Sequence, residues 1–245
     1  MISISIDGLR KAYGKVNALD GLAVDALNDW RCLGILGRNG AGKTTLLKIM
    51  CGLLRPDSGT MKFQCNGRTY GFLDPTLAAY IDENQTVAPG LTGDHFLAFH
   101  LALNRLVGID VDIEARRRLI EGLDLGNQMK KEMRTMSKGT RRKVEMVASL
   151  SANVPVLVGD EFAEGLDVPS MALIQNAMRN SAEKFGKQYI ISSHDVAFLT
   201  SIADHLLIID HGRAVERIDM HKERDDCQEK IRIAFGIESV SATCD

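Results

Sequence analysis

The segment that most constrains this chain is a glycine-rich stretch at residues 37–45, which reads GRNGAGKTT. Its spacing fits the pattern G-x-x-x-x-G-K-[ST], and an apolar run at residues 32–36 leads directly into it. Gly37, Gly40 and Gly42 allow the backbone to wrap closely around a polyphosphate. The pattern therefore predicts a phosphate-binding loop between a buried strand and a helix.

The residues of this loop have distinct expected contacts with a nucleotide. Backbone amides of the loop and of the helix start point at negative charge. Lys43 is expected to reach the β- and γ-phosphates, and Thr44 to offer its hydroxyl to Mg²⁺. The predicted nucleotide contacts here are Gly37, Asn39, Gly40, Ala41, Gly42, Lys43, Thr44 and Thr45.

Two carboxylates, Asp160 and Glu161, follow a second apolar run at residues 154–158. The carboxyl edge of a doubly wound sheet is where such a fold holds its ligand. We expect Asp160 to anchor the Mg²⁺ shell and Glu161 to act as general base on the water that attacks the γ-phosphate. A pair of solvated acids at a strand end is the alternative, and the phosphate loop argues against it.

Strand-like and helix-like segments alternate along most of the chain. Ile2, Ile4 and Ile6 alternate with polar residues, the period of a strand with one buried face, and residues 16–24 continue in short strand-like pieces around Gly14 and Gly21. Apolar runs at 154–158, 188–192 and 205–209 are separated by helical segments. This order predicts an α/β fold with a mainly parallel sheet covered on both faces. Helical patterns at 96–103, at 113–123 behind Asp112 as a cap, and at 137–150 predict a helical insertion.

Composition narrows the class of protein further. The chain has 245 residues, 45% of them apolar, and a formal charge of −2, so nucleic acid is not the expected partner. Five cysteines without C-x-x-C spacing read as free thiols in a reducing compartment. No apolar run approaches the ~20 residues that span a bilayer, and we expect a soluble, cytoplasmic protein.

A third motif, MSKGTRRK at residues 136–143, opens the helix that leads toward Asp160. Together with the phosphate loop and the acidic pair, it resembles the signature of ATP-binding cassette (ABC) proteins, usually LSGGQ. The resemblance implies that Ser137 and Gly139 bind the γ-phosphate of ATP held by a second subunit, either an identical or a closely related chain. In isolation, the motif is more typical of an ordinary serine-capped helix with a basic, solvated face.

Three further segments extend the resemblance. Residues 165–167 (GLD) look like the D-loop that crosses the dimer interface, which places Asp167 near the nucleotide. His194, within SHD at 193–195, looks like the switch histidine that holds the γ-phosphate and Glu161 in line. Tyr13 matches the aromatic residue that stacks on adenine. Alone, His194 and Tyr13 would more often be structural residues.

The sequence also departs from the family pattern. Glu83 lies where many members have a glutamine that binds Mg²⁺, and Gln85 is a nearby competitor for that role. Lys138 replaces a signature glycine, and similar S-K-G versions occur among exporters of peptides and antibiotics. Phe162 begins a segment that usually starts with proline, which could alter the dimer interface.

We therefore expect the ATP-hydrolysing subunit of an ABC transporter, most simply an exporter, with ATP and Mg²⁺ as cofactors. It would form one ABC ATPase domain spanning residues 1–245. The nucleotide-binding core comprises 1–86 and 151–219, the helical signature subdomain 87–150 and the tail 220–245. Membrane-spanning permease subunits would hold it at the inner face of the cell membrane.

Three competing functions stay open at this point. A soluble ABC ATPase acting on ribosomes or DNA generally carries two cassettes or a long coiled coil, which this chain lacks. A phosphate-loop kinase would leave the motifs at 137–139 and 165–167 unexplained. A nucleotide sensor without turnover is disfavoured by the presence of Glu161 and His194.

Overall fold

The computed structural model describes residues 1–83 and 90–237. Within these residues, the elements in chain order are β1 Ser3–Tyr13, β2 Val16–Leu27, β3 Cys32–Leu36, α1 Lys43–Met50, β4 Ser58–Cys65, β5 Arg68–Tyr70, β6 Ala78–Ile81, α2 Gly93–Leu106, α3 Ile113–Gly122, α4 Lys138–Leu150, β7 Val156–Gly159, α5 Val168–Phe185, β8 Gln188–Ser193, α6 Val196–Ile202, β9 His205–Asp210, β10 Arg213–Asp219 and α7 Cys227–Ala234. A short 3-10 helix, Met133–Thr135, precedes α4.

The strands form two sheets. A six-stranded sheet has the order β10-β9-β3-β8-β7-β6, in which only the β9–β10 pair is antiparallel. A four-stranded antiparallel sheet has the order β2-β1-β4-β5. Strands β3, β7 and β8 are buried along their whole length, because packing covers both faces of the parallel sheet. The expected α/β fold class is confirmed.

The two faces of the parallel sheet support two hydrophobic clusters. One cluster lies between this sheet, α1 and the antiparallel sheet, and it includes Trp30, Leu46 and Phe63. The other joins the opposite face to α4, α5 and α6, and it includes Phe162 and Tyr189. The phosphate loop runs from the parallel sheet into α1 and therefore rests on a packed core.

Side-chain caps define where most of the helices begin. Asp112 caps α3 and Ser137 caps α4, as the sequence predicts, each accepting a hydrogen bond from a backbone amide three residues later. Asp167 caps α5 and Asp195 caps α6 in the same way. Ser137 therefore fixes the start of the helix that carries the signature motif, and Asp167 fixes the start of the helix that follows residues 165–167.

The main differences from the predicted elements lie at the sheet edges. The strand-like pieces predicted around Gly21 form one continuous strand, β2, whose pairing with β1 contains register shifts. Strands β6 and β10 were not predicted from the sequence. Within the described ranges, no helix is long and apolar enough to cross a membrane.

Candidate functional site

The residues predicted to bind and hydrolyse the nucleotide lie together at the carboxyl ends of three neighbouring strands. Strands β3, β8 and β7 lie side by side, and they lead into the phosphate loop, His194 and the Asp160–Glu161 pair, respectively. A cavity of about 410 Å³ opens at this edge. It is lined by Tyr13, Ala18, Asn39, Gly40, Ala41, Gly42, Lys43, Thr44, Thr45, Glu83, Glu161, Glu164 and His194.

The phosphate loop depends on glycine at the start of α1. Gly42 has φ +105°, and a Cβ atom there would lie 2.3 Å from the Ala18 carbonyl oxygen. Any other residue would be strained and would clash with β2. The Lys43 side chain is buried, and its Nζ donates to the Gly37 carbonyl at 2.8 Å and to the Arg38 carbonyl at 3.3 Å. The loop thus curls around its own lysine.

The Asp160 carboxylate lies fully buried beneath the loop. It accepts a hydrogen bond from the Thr44 hydroxyl at 2.6 Å and another from the Ser192 hydroxyl at 2.6 Å. The Thr44 and Asp160 oxygens are hard donors of the kind that Mg²⁺ prefers. No cluster of three or more His, Cys, Asp or Glu residues forms a metal site in the part of the chain that is described. Mg²⁺ usually binds proteins through one or two side chains together with nucleotide phosphates, and the Thr44 and Asp160 oxygens fit this pattern.

Glu161 contacts both a lysine and a histidine of the site. Its Oε1 lies 3.0 Å from Lys43 Nζ, and its Oε2 lies 2.9 Å from His194 Nδ1. The residue is buried and has φ +41°, a backbone conformation that is uncommon outside glycine. Its N–H donates to the Ser192 hydroxyl at 3.0 Å. The surroundings therefore hold a strained residue with its carboxylate facing the phosphate loop.

Tyr13 and Glu83 lie at the margin of the same cavity. Tyr13 is the last residue of β1 and is 52% exposed, so its ring is accessible to a ligand. Glu83 lines the cavity from the segment after β6. Its predicted competitor, Gln85, lies outside the described residues. Glu164 also lines the cavity, although the sequence analysis did not single it out.

Ser137, Gly139 and Asp167 form a second group that does not line this cavity. Ser137 Oγ accepts a hydrogen bond from the Thr140 amide at 3.1 Å. A Cβ atom on Gly139 would lie 2.4 Å from the carbonyl oxygen of Gly165, so the signature helix packs directly on the segment at 165–167. Lys143 Nζ donates to Asp167 at 2.7 Å, and this bond lowers the pKa of the Asp167 carboxyl.

Two buried polar residues escaped the sequence analysis. Ser192 holds both Asp160 and Glu161, but a serine near the end of an apolar strand gives no signal of its own. Arg142 is 5% exposed and donates to the backbone carbonyls of Asp160 and Glu161 at the end of β7. It lies between two other basic residues in the sequence, a pattern that is typical of a solvated helix face.

The departures from the family pattern have local structural roles. Phe162 is fully buried, and its ring stacks on Phe198 at a centroid distance of 6.5 Å. It therefore fills core space next to the strand end. Lys138 Nζ lies 2.7 Å from the Glu164 carboxylate, which joins the signature motif to the segment after Glu161 on the surface. An effect of Phe162 on a dimer interface stays a prediction.

Comparison with known proteins identifies similar sequences. The sequence profile of the ABC transporter family matches residues 25–164. The Nod factor export ATP-binding protein I of Ralstonia nicotianae is 32% identical over 225 residues, which cover 89% of this chain and 68% of that protein. The daunorubicin resistance ATP-binding protein DrrA3 of Streptomyces coeruleorubidus is 32% identical over 228 residues, covering 87% and 67%. The methionine import ATP-binding protein MetN of Rhizobium etli is 27% identical, covering 85% and 58%.

Solved structures share the fold at lower sequence identity. The ATP-binding subunit of an ABC transporter superposes with a TM-score of 0.73 at 23% identity, covering 96% of this chain and 94% of that one. A dimeric ATP-binding cassette in a post-hydrolysis state, bound to ADP and Pi, superposes with a TM-score of 0.72 at 19% identity, covering 89% and 98%. These likenesses establish the cassette fold.

Proposed function

The chain belongs to the ABC transporter family and is an ATPase, and from this premise we propose that it powers export through membrane-spanning partner subunits, working as one half of an ATP-bound dimer. The observation that carries the proposal is the position of Glu161 between Lys43 and His194. A carboxylate held between a phosphate-binding lysine and an imidazole is suited to taking a proton from a water that attacks the γ-phosphate.

The residues around Glu161 take complementary roles in this proposal. Lys43 and the amides of residues 37–45 hold the phosphates. Thr44 and Asp160 hold Mg²⁺ with Glu83 as a further ligand, and the ion would neutralise charge on the phosphates. His194 orients the γ-phosphate and Glu161, and Tyr13 stacks on the adenine. The exposure of Tyr13 beside the phosphate loop supports this assignment.

A second chain completes the nucleotide site in this proposal. Ser137, Gly139 and the free amides at the start of α4 bind the γ-phosphate held by the partner, and Asp167 lies close to the same interface. Their separation from the cavity of their own chain supports a role toward another chain. We assign residues 1–86 and 151–219 to the nucleotide-binding core, 87–150 to the helical subdomain and 220–245 to the tail.

Export and membrane docking are the finer parts of the proposal. Two relatives at 32% identity are named for export or drug resistance, whereas the import protein is 27% identical. In α2, Phe96 is buried, but Phe99, Leu103 and Leu106 are exposed at helical spacing. This apolar face is suited to contact a permease at the inner face of the membrane.

A trapping experiment tests the dimer directly. Glu161→Gln keeps the shape of the side chain but cannot accept the proton, so Mg·ATP should persist and drive the protein into a dimer by mass action. Adding Ser137→Arg should prevent dimerisation, because the bulky side chain occupies the second anion site. Size-exclusion chromatography with light scattering measures both results.

A matched control places the same arginine on an exposed residue of the same subdomain. Asn127→Arg in the Glu161→Gln background should leave the ATP-dependent dimer intact. A Glu161→Gln protein that binds ATP and stays monomeric would refute the two-chain site. Failure to co-purify any polytopic membrane protein from the native host would favour a ribosome- or DNA-directed ATPase.

A further inference from the structure

Arg142 is a buried cation that reaches from the signature helix to the catalytic strand end. Its Nη2 donates to the Asp160 carbonyl at 2.6 Å and to the Glu161 carbonyl at 3.2 Å. Its Nη1 donates to the Asp82 carbonyl at 2.6 Å. The side chain is 5% exposed. One guanidinium thus connects α4, the end of β7 and the segment that follows β6.

The carbonyls that Arg142 binds belong to the parts of the backbone that matter for hydrolysis. Glu161 has φ +41°. The Asp160 carbonyl belongs to the peptide group before the Glu161 Cα, and the Glu161 carbonyl belongs to the peptide group after it, so Arg142 holds both sides of this residue. Asp82 directly precedes Glu83, which lines the nucleotide cavity. A strained conformation persists only where its surroundings over-determine it. Arg142 is one of the groups that do so here.

A second buried charge fixes the direction of the guanidinium. Glu145 lies one turn further along α4, with Oε2 3.6 Å from Arg142 Nη1, and its side chain is 6% exposed. Both groups sit on one rigid helix, so the fork of donors points consistently toward the strand end. Burial raises the pKa of the Glu145 carboxyl, whereas the nearby Arg142 charge lowers it.

We propose that Arg142 is a positioning residue for ATP hydrolysis, which holds the Glu161 backbone and the Asp82–Glu83 segment in the geometry that the chemical step needs. This inference rests on the proposed role of Glu161 as general base. The planar guanidinium presents several donors in a fixed fork, whereas a lysine ammonium is a compact charge on a flexible stem. Lysine cannot span the same three carbonyls in the same geometry.

The decisive variant is therefore Arg142→Lys, which keeps the positive charge beside Glu145. We expect kcat for ATP hydrolysis to fall about 10-fold or more, because small displacements of a catalytic group cost large factors in rate. The dissociation constant of a fluorescent ATP analogue should change by less than about twofold, since Arg142 does not line the cavity. This separation of kcat from binding distinguishes positioning from a general loss of structure.

Arg116 provides a matched control in the same part of the chain. It is 7% exposed and donates to the Leu97 carbonyl and the Ser151 hydroxyl, so it is another buried arginine that binds neighbouring helices and loops. It contacts neither the catalytic strand end nor the cavity residues. Arg116→Lys should keep the hydrolysis rate within about twofold of wild type.

A second readout uses the Glu161→Gln background. If Arg142 acts through Glu161, adding Arg142→Lys to Glu161→Gln should lower the residual rate by less than about twofold, because residues that act as a unit are not additive. If Arg142→Lys does not yield folded protein, the neutral pair Arg142→Gln with Glu145→Gln replaces it, and the same criteria apply.

Three results would overturn the inference. These are a wild-type kcat in folded Arg142→Lys, a loss of ATP binding as large as the loss of rate, or an undiminished rate loss in the Glu161→Gln background. Failure of the proposed function has a different signature, because Glu161→Gln itself would then hydrolyse ATP at the wild-type rate.

Discussion

Replacing Ser192 with alanine tests whether Asp160 and Glu161 are held as the structure describes. The hydroxyl of Ser192 donates to Asp160 Oδ1 at 2.6 Å and accepts from the Glu161 amide at 3.0 Å. Ser192 and Asp160 are both fully buried, and Glu161 is 7% exposed. Water therefore cannot easily replace the lost oxygen, and the variant leaves a buried carboxylate and a buried N–H each without this partner.

The expected loss of stability follows from these two bonds. A hydrogen bond to a charged group contributes roughly 1.5–3 kcal/mol and a neutral one roughly 0.5–1.5 kcal/mol. Because only one oxygen atom is removed, the cavity contribution is small, and Ser192→Ala should lower the free energy of unfolding by about 2–4 kcal/mol. ATP hydrolysis should also fall, since the Glu161 backbone loses one of its anchors.

Denaturant unfolding without nucleotide measures the stability, and Ser193→Ala is the matched control. Ser193 is the next residue of the same buried strand, and its hydroxyl accepts a neutral bond from the Asp195 amide at 3.0 Å. We expect a loss of about 1 kcal/mol there. Equal losses in the two variants, or a loss below about 1 kcal/mol in Ser192→Ala, would refute the reasoning.

Three other changes have definite expected outcomes. Lys43→Ala should abolish tight ATP binding in an equilibrium titration, and unchanged affinity would exclude the loop as the nucleotide site. Gly139→Ala should lower the free energy of unfolding by about 1–3 kcal/mol, because the added Cβ would lie 2.4 Å from the Gly165 carbonyl oxygen. Gly126→Ala should leave the free energy of unfolding unchanged, because a Cβ there has no neighbouring atom within 4 Å. Burial lowers the pKa of Lys187 to about 7, so above that pH the unfolded chain binds more protons than the folded protein. The free energy of unfolding of the wild type should therefore rise by about 2 kcal/mol relative to that of Lys187→Met between about pH 7 and 9. A pH-independent difference between the two proteins would contradict this.

Local sequence patterns were sufficient to predict the central elements of the fold. The apolar run into Gly37 and the carboxylates after the run at 154–158 mark strands β3 and β7, because a strand buried on both faces is apolar throughout. Asp112 and Ser137 mark helix starts, because a cap interacts with amides three residues away. Such signals involve neighbours in sequence and are therefore visible without a structure.

Features set by contacts between distant segments were not predictable in this way. In strand β10 the apolar Val215 is exposed and the charged Glu216 is partly buried, so the sequence lacks a clean alternation; the segment is a strand because it pairs with β9. Arg142 and Ser192 acquire their roles only when β7, β8 and α4 pack together. The positive φ of Glu161 is likewise maintained by these tertiary contacts.

The most direct test of the account is the rate of Mg·ATP hydrolysis by wild-type and Glu161→Gln proteins, measured beside their affinities for a fluorescent ATP analogue. Glu161 is the one carboxylate that contacts both Lys43 and His194 in the described residues. We predict that Glu161→Gln lowers the rate by about 10² or more while it still binds the nucleotide. A Glu161→Gln protein that hydrolyses ATP at the wild-type rate would contradict the assignment of Glu161 as the general base.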